Sequence, residues 1–163
     1  MYAKPILDGK KIVVTGASKG IGKAMAKALV EAGASVMLIA RGEEALEQAQ
    51  AELQKVAADP QQVSILSFDL TKINSFSELV AQLPPSLESL DCLINNAGMS
   101  KFTPFKHVSI EECDRLFDLN FKAPYFLIQA LLPNYIRCKP NAFSTAILIL
   151  KKTTFCLLFY IKY

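Results

Sequence analysis

Residues 12–22 read I-V-V-T-G-A-S-K-G-I-G, a short apolar run followed by three glycines in the spacing G-x-x-x-G-x-G. A helical pattern of apolar residues begins directly after them. The first glycine permits a positive φ at the turn, the second lets a ligand approach the backbone, and the third lets the helix pack on the strand. Because free N–H groups at a helix N-terminus attract phosphate, the segment predicts a nucleotide-phosphate cradle. An ordinary glycine-rich turn is the alternative interpretation.

Apolar runs alternate with longer amphipathic stretches along the rest of the chain. Strands are predicted at 11–15, 35–40, 62–68, 90–95 and 145–150, and helices at 20–33, 42–58, 73–83 and 109–138. The strands are nearly continuous in Val, Ile and Leu, as in parallel strands that are buried on both faces. This order predicts an α/β fold with a doubly wound parallel sheet and right-handed crossovers. Pro124 predicts a kink or break in the last helix, and Pro133 an approach to its end.

Composition excludes several classes of protein. The 163 residues are 52% hydrophobic and 20% charged, which favours one domain with a buried core. A net charge of +3 without a Lys/Arg block does not indicate a nucleic-acid partner. Four cysteines without a C-x-x-C pair, and one histidine, argue against a metal site and favour a reducing compartment. With no signal peptide pattern at the start, the predicted location is cytoplasmic.

The composition changes near Cys138. Residues 139–163 contain no Gly, Asp or Glu and are rich in Phe, Ile, Leu, Lys and Tyr. We therefore divide the chain into a dinucleotide-binding domain at 1–141 and a divergent fifth strand with an apolar tail at 142–163. Lys151 and Lys152 split the apolar run into pieces too short for a lipid span of about 20 residues, so no membrane partner is predicted.

Four motifs in order resemble those of the short-chain dehydrogenases/reductases. Residues 15–22 (T-G-A-S-K-G-I-G) resemble the family's T-G-x-x-x-G-x-G signature, and residues 95–98 resemble its N-N-A-G motif. Asn120 matches the Asn of the family's central helix, and Asp69-Leu70 lies where the family places an Asp beside the adenine. The resemblance covers about residues 8–137. It implies a Rossmann fold, a nicotinamide dinucleotide partner and redox chemistry on a small carbonyl or alcohol.

The resemblance also implies a set of site residues. Asn120 is the one member of the family's catalytic group that it identifies. The implied cofactor-binding residues are Thr15, Gly16, Ser18, Lys19, Gly20, Ile21, Gly22, Arg41, Asp69, Leu70, Asn96, Ala97 and Gly98.

The end of the second strand bears on which dinucleotide is bound. An acidic residue about 20 positions past the glycines would hold the adenosine ribose 2′-OH of NAD. Ala40 occupies that position and Arg41 follows it, so no carboxylate repels a 2′-phosphate there. Arg41 and Lys19 offer charge-assisted contacts to that phosphate. The sequence predicts a preference for NADP(H) over NAD(H); solvated surface charges are the alternative.

The family's catalytic Ser, Tyr and Lys, which follow the fifth strand, are not found in order. Thr153 and Thr154 only weakly match the Ser, and no Lys lies four residues after Tyr160. Tyr135 and Lys139 fit Y-x-x-x-K but precede the fifth strand, so we interpret them as the end of the central helix.

Three hypotheses remain open. The first is an incomplete NADPH-dependent carbonyl reductase that is inactive alone, produced by a splice variant, a frameshift or a retained non-coding segment. The second is a non-enzymatic dinucleotide-binding module that regulates or pairs with a full-length relative through its central helix. A homo-oligomer is the alternative to that pairing. The third is a reductase with an unusual active site.

The fifth strand is also expected to be an exposed, aggregation-prone edge of the sheet.

Overall fold

A computed structural model describes residues 5–138, 145–148 and 159–160, and the side-chain surroundings of residues 5–134. The strands are Lys11–Thr15 (β1), Ser35–Ala40 (β2), Val63–Ser67 (β3), Cys92–Asn95 (β4), Thr145–Leu148 (β5) and Phe159–Tyr160 (β6). The α-helices are Gly20–Glu31 (α1), Glu43–Gln54 (α2), Phe76–Ala81 (α3), Ile110–Phe117 (α4) and Ala123–Cys138 (α5). The predicted strands and helices are therefore present, although α2 is shorter than expected and a 3-10 turn at Ile73–Ser75 precedes α3.

The strands form one sheet in the order β3-β2-β1-β4-β5-β6. The first five are parallel, with Val13 of β1 opposite Met37 of β2 on one side and Leu93 of β4 on the other. The strand order reverses beside β1, and ligands bind in the crevice at such a switch point in open α/β sheets. The predicted doubly wound parallel sheet is confirmed. The prediction that β5 ends the sheet is wrong, because β6 pairs antiparallel with β5 at Thr145 and Ala146.

Consecutive strand residues supply two hydrophobic cores, one on each face of the sheet. Val13 packs in the core that includes Leu127 of α5, and its neighbour Val14 packs in the core that includes Ala26 of α1 and Leu46 of α2. Successive side chains of a strand point to opposite faces, so a strand covered on both sides must be apolar throughout. Parallel pairing then places the carboxyl ends of β2 and β4 on either side of that of β1.

The long helix predicted over 109–138 is interrupted. α4 is followed by a π-helical turn at Asp118–Lys122, in which the amide of Ala123 donates to the carbonyl of Asp118 before α5 begins. Pro124 has no amide to donate and disfavours regular helix just before it, so the wider turn falls where a kink is expected. Pro133 lies inside α5, which ends at Cys138. Among the described residues, no helix is long and apolar enough to span a bilayer.

Candidate functional site

An open cleft of about 490 Å³ lies at the carboxyl ends of the parallel strands. Its walls come from the β1–α1 loop, the ends of β2, β3 and β4, and the π-helical turn. Nine of the thirteen predicted cofactor-binding residues line it: Gly16, Ser18, Lys19, Gly20, Arg41, Leu70, Asn96, Ala97 and Gly98. Motifs that are far apart in the sequence therefore meet at the edge of the sheet formed by the carboxyl ends of the strands.

The three glycines of the β1–α1 loop have different surroundings. Gly16 has φ +64°, and a Cβ there would lie 2.8 Å from the Cα of Ala97. A Cβ on Gly22 would collide with the Asn96 amide nitrogen and the carbonyl of Gly16. Gly20 has φ +58°, but nothing lies within 4 Å of its Cβ position. Gly16 and Gly22 therefore allow the loop to pack on the turn after β4, and Gly20 leaves the backbone open to a ligand.

Thr15 and Asn96 join that loop to β4. The Asn96 side-chain amide donates to the carbonyls of Thr15 and Gly16 at 2.9 and 3.0 Å. The Thr15 hydroxyl accepts from the backbone amides of Asn96 and Ala97, each at 3.0 Å. Both side chains are buried, so these bonds are protected from competition with water. Thr15 therefore holds two walls of the cleft together by hydrogen bonds but does not line the cleft.

Positive charge at the β2 side of the cleft is not held in any ion pair of the described residues. Arg41 and Lys19 are exposed, and neither side chain has an ion-pair or hydrogen-bond partner among those residues. Asp69 lies near Arg41. Partial burial raises the pKa of Asp69, but hydrogen bonds from the amide and hydroxyl of Thr71, helped by the Arg41 charge, outweigh it and hold this pKa below its ordinary value. Asp69 is therefore a carboxylate that fixes the turn after β3.

Asn120 lies in the π-helical turn, and its side chain is fully engaged with Met99. Its Oδ1 accepts from the Met99 amide at 2.9 Å, and its Nδ2 donates to the Met99 carbonyl at 2.8 Å. A Cβ on Gly98 would lie 3.1 Å from the same Oδ1. Asn120 thus holds the segment that leaves β4. Its predicted catalytic role stays a prediction.

Comparison with known proteins agrees with this arrangement. The family model for short chain dehydrogenases matches residues 10–143. The chain belongs to the short-chain dehydrogenase family. This is an oxidoreductase family whose members bind nicotinamide dinucleotides.

Several relatives of this short-chain dehydrogenase are known. It is 38% identical over 136 residues to a fatty acyl-CoA reductase of Acinetobacter baylyi, covering 82% of this chain and 45% of that protein. A solved complex of Pseudomonas aeruginosa RhlG with NADP matches with a TM-score of 0.79 and 30% identity, over 90% of this chain and 56% of that one. A metagenomic short-chain oxidoreductase in complex with NADP matches with a TM-score of 0.73 and 34% identity, over 80% of this chain and 58% of that one. The chain therefore spans about half the length of these relatives.

Four predicted cofactor-binding residues do not line the cleft of this short-chain dehydrogenase. Thr15 and Gly22 pack beneath the loop, Ile21 is exposed on α1, and Asp69 holds the turn beside Leu70. Five lining residues were not in the predicted set: Ala40, Gly42, Ala45, Phe68 and Leu119. Ala40 and Gly42 flank Arg41, and Phe68 precedes Asp69. Their positions in the sequence next to predicted binding residues could have identified them as cleft-lining residues. Leu119 reaches the cleft only through the π-helical turn.

Of the residues that weakly match the family's Ser, Tyr and Lys, only Tyr135 and Tyr160 lie in described elements, α5 and β6. Tyr135 lies in α5, directly after Asn134. The Asn134 side-chain amide donates to the carbonyls of Leu87 and Glu88, and its backbone carbonyl accepts from the amide of Leu90, ahead of β4. That is the end of β4 opposite the cleft. Tyr160 lies in β6, and Lys139, Thr153 and Thr154 lie outside the described residues.

Proposed function

We propose that this chain is the NADP(H)-binding portion of an oxidoreductase that acts on a small carbonyl or alcohol, and that it prefers NADP(H) to NAD(H). The observation that carries the preference is Arg41, an exposed guanidinium on the cleft wall that makes no ion pair with the described residues, with Asp69 near enough to interact with its charge. Ala40, beside it, supplies no carboxylate to bind a ribose 2′-OH. A guanidinium binds phosphate with two parallel hydrogen bonds, and this favours a 2′-phosphate over a hydroxyl.

The glycine loop fits the pyrophosphate of such a dinucleotide. Lys19 is the residue before α1, and no side chain caps this helix, so its first amides are free to donate to an anion. Gly20 leaves its side of the loop open, as a close approach of phosphate oxygens requires. When bound, the nicotinamide supplies or accepts hydride; the residues described here bind and orient the dinucleotide. The two NADP complexes among the structural relatives support this proposal.

The size of the preference follows from the strength of a charge-assisted contact. A hydrogen bond to a charged group is worth about 1.5–3 kcal/mol, and each 1.4 kcal/mol is a factor of about ten in affinity. Because Arg41 is exposed, water and salt reduce this value, and Lys19 adds only a second screened charge. We therefore expect NADPH to bind about tenfold more tightly than NADH at low salt.

The test exchanges the charge at Arg41. Arg41→Asp should reverse the preference, because a carboxylate repels the 2′-phosphate and accepts from the 2′-OH. Arg115→Asp is the matched control, since Arg115 is an exposed arginine on α4 that does not line the cleft. It changes the net charge equally and should leave the preference as it was. Fluorescence titration of NADPH and NADH measures both affinities; equal affinities that Arg41→Asp leaves unchanged contradict the proposal.

We further propose that the 163-residue polypeptide binds the dinucleotide without reducing carbonyls. Proton transfer needs an acid within hydrogen-bond reach of the substrate, and Tyr135 lies toward the opposite end of β4 from the cleft. The test is NADPH oxidation with diketones, quinones and aldehydes on monodisperse protein. Turnover above background that disappears in Tyr135→Phe contradicts the proposal and assigns that tyrosine a catalytic role.

A further inference from the structure

A second open groove, of about 470 Å³, lies between α1 and α2. Its walls come from α1, from the last turn of α2 and from the two residues that follow α2. Gly20 borders both this groove and the cleft at the carboxyl ends of the strands, and the two share no other lining residue. Sites for small molecules have volumes of about 300–1,000 Å³, so the groove is large enough to hold one.

Basic side chains predominate around the groove. Lys23 and Lys27 come from α1 and Lys55 from the end of α2, whereas Glu52 is the one acidic residue among the described residues that line it. Lys23 pairs with Glu52 at 2.8 Å. The hydrogen bond and charge of Lys23, and then the charges of Lys55 and Lys27, hold the pKa of Glu52 below its ordinary value. Three ammonium groups thus lie close enough to act on one carboxylate, and positive charge is in excess.

The folded chain gains little from the positions of these lysines. Lys23 lies in the first turn of α1, where the helix dipole disfavours a cation, and four residues from both Lys19 and Lys27, where like charges repel. Lys27 approaches Glu31 only to 3.8 Å, and both side chains are more than half exposed. Lys55 makes no ion pair with the described residues. Local conflicts of this kind are typical of functional sites, and a bound anion offsets the repulsion.

The groove also has an apolar part. Leu53 of α2 lines it although this side chain is buried, and Val56, directly after α2, is 37% exposed. Ala24 of α1 is exposed on the opposite wall. An alkyl chain that lies between the two helices contacts these side chains and the aliphatic stems of the lysines, and it is removed from water there.

We propose that the groove between α1 and α2 is a second ligand site, and that its ligand is an alkyl phosphate with a single chain. The phosphate lies among the ammonium groups of Lys23, Lys27 and Lys55, and the chain lies against the apolar wall. A phosphate monoester carries a charge of about −1.5 to −2 at neutral pH, so it gains from several lysines at once. The inference is independent of the dinucleotide, because the groove and the cleft share only Gly20.

The test titrates the unmodified 163-residue chain with three probes by calorimetry: octyl phosphate below its micelle-forming concentration, inorganic phosphate and octan-1-ol. Octyl phosphate should bind roughly tenfold more tightly than either of the others, because it alone meets both parts of the groove. The double variant Lys27→Gln/Lys55→Gln should bind octyl phosphate roughly fivefold more weakly. Lys72→Gln/Lys106→Gln is the matched control, since it removes the same charge from two exposed lysines outside the groove and should leave this affinity unchanged.

Four results overturn the inference. The first is no binding of octyl phosphate, and the second is equal binding of octyl phosphate and either of the other probes. The third is an affinity that Lys27→Gln/Lys55→Gln leaves unchanged, which places the phosphate elsewhere, for example at the glycine loop. The fourth is an equal loss in the control variant, which shows an effect of net charge alone. NADPH titrations of the same preparations test the proposed function separately, since lysine-dependent binding of octyl phosphate upholds the inference whether or not NADPH binds.

Discussion

Replacing Asn96 with alanine should both destabilise the protein and weaken dinucleotide binding. The Asn96 amide donates to the carbonyls of Thr15 and Gly16, and the residue is only 3% exposed. Asn96→Ala removes both bonds and leaves a space too buried for bulk water to enter freely. Thr15 and Gly16 are the residues at which β1 passes into the glycine loop, so the loop loses the contact that sets its position.

The magnitude follows from the groups involved. Each lost hydrogen bond costs about 0.5–1.5 kcal/mol, and a buried carbonyl left without a donor costs about 1–3 kcal/mol. Asn96 also carries a buried Oδ1 without a partner in the described structure, and removing that atom relieves part of the loss. We therefore expect the free energy of unfolding to fall by about 2–3 kcal/mol, or roughly 5–10 °C in Tm for a chain of this size.

The assay is urea unfolding followed by far-ultraviolet circular dichroism, because the chain has no tryptophan. Asn134→Ala is the matched control. Asn134 also bonds two backbone carbonyls, but at 3.3 Å each and at the other end of β4. It should cost about 1 kcal/mol or less and leave NADPH affinity unchanged. A loss below about 0.5 kcal/mol for Asn96→Ala, or equal effects of the two variants on NADPH affinity, refutes the reasoning.

Two further predictions concern the glycine loop and the loop after β4. Gly20→Val and Gly9→Val both place a branched side chain at a positive φ, +58° and +73°, with no atom within 4 Å, so both should lose stability, but only Gly20→Val should lose NADPH binding in a fluorescence titration. Hydrogen bonds from Thr103 and then Lys101 hold the pKa of Glu112 below its ordinary 4.5, so the stabilisation is present above that value and is lost as the pH falls through the lowered pKa. The stability difference between the unmodified chain and Glu112→Gln, measured by urea unfolding at several pH values, should therefore shrink below pH 4.5; a constant difference contradicts this.

Most of the fold could be predicted from the sequence, because the signals are local. Double burial makes β1 and β2 apolar throughout, and the period of the apolar residues in α1 differs visibly from that of the strands. The pairing of β6 with β5 was missed because a short antiparallel strand within a continuously apolar segment shows no alternation of apolar and polar residues that would mark it. Pro124 predicted a kink or break in the long helix; the structure has a π-helical turn directly before it, in a helical run that continues to Cys138.

The parts of the site that depend on the backbone conformation of a single residue could be predicted from the sequence. Gly16 adopts the positive φ that was predicted for the first glycine of the loop, whereas the positive φ of Gly20 was not predicted. Leu119 and the engagement of Asn120 with Met99 were not predictable, since both depend on where the π-helical turn lies against β4.

The bonds between Asn96 and the glycine loop also set an order of events during synthesis. Thr15 and Gly16 are held by a residue that follows 81 and 80 positions later in the chain. Until β4 has emerged from the ribosome and joined β1, these carbonyls have no amide from Asn96, and closing so long a segment is slow compared with forming a local helix. α1 can thus form early, while the glycine loop before it still lacks the hydrogen bonds from Asn96 that fix its conformation. Acquisition of dinucleotide affinity by a growing chain therefore marks the docking of β4.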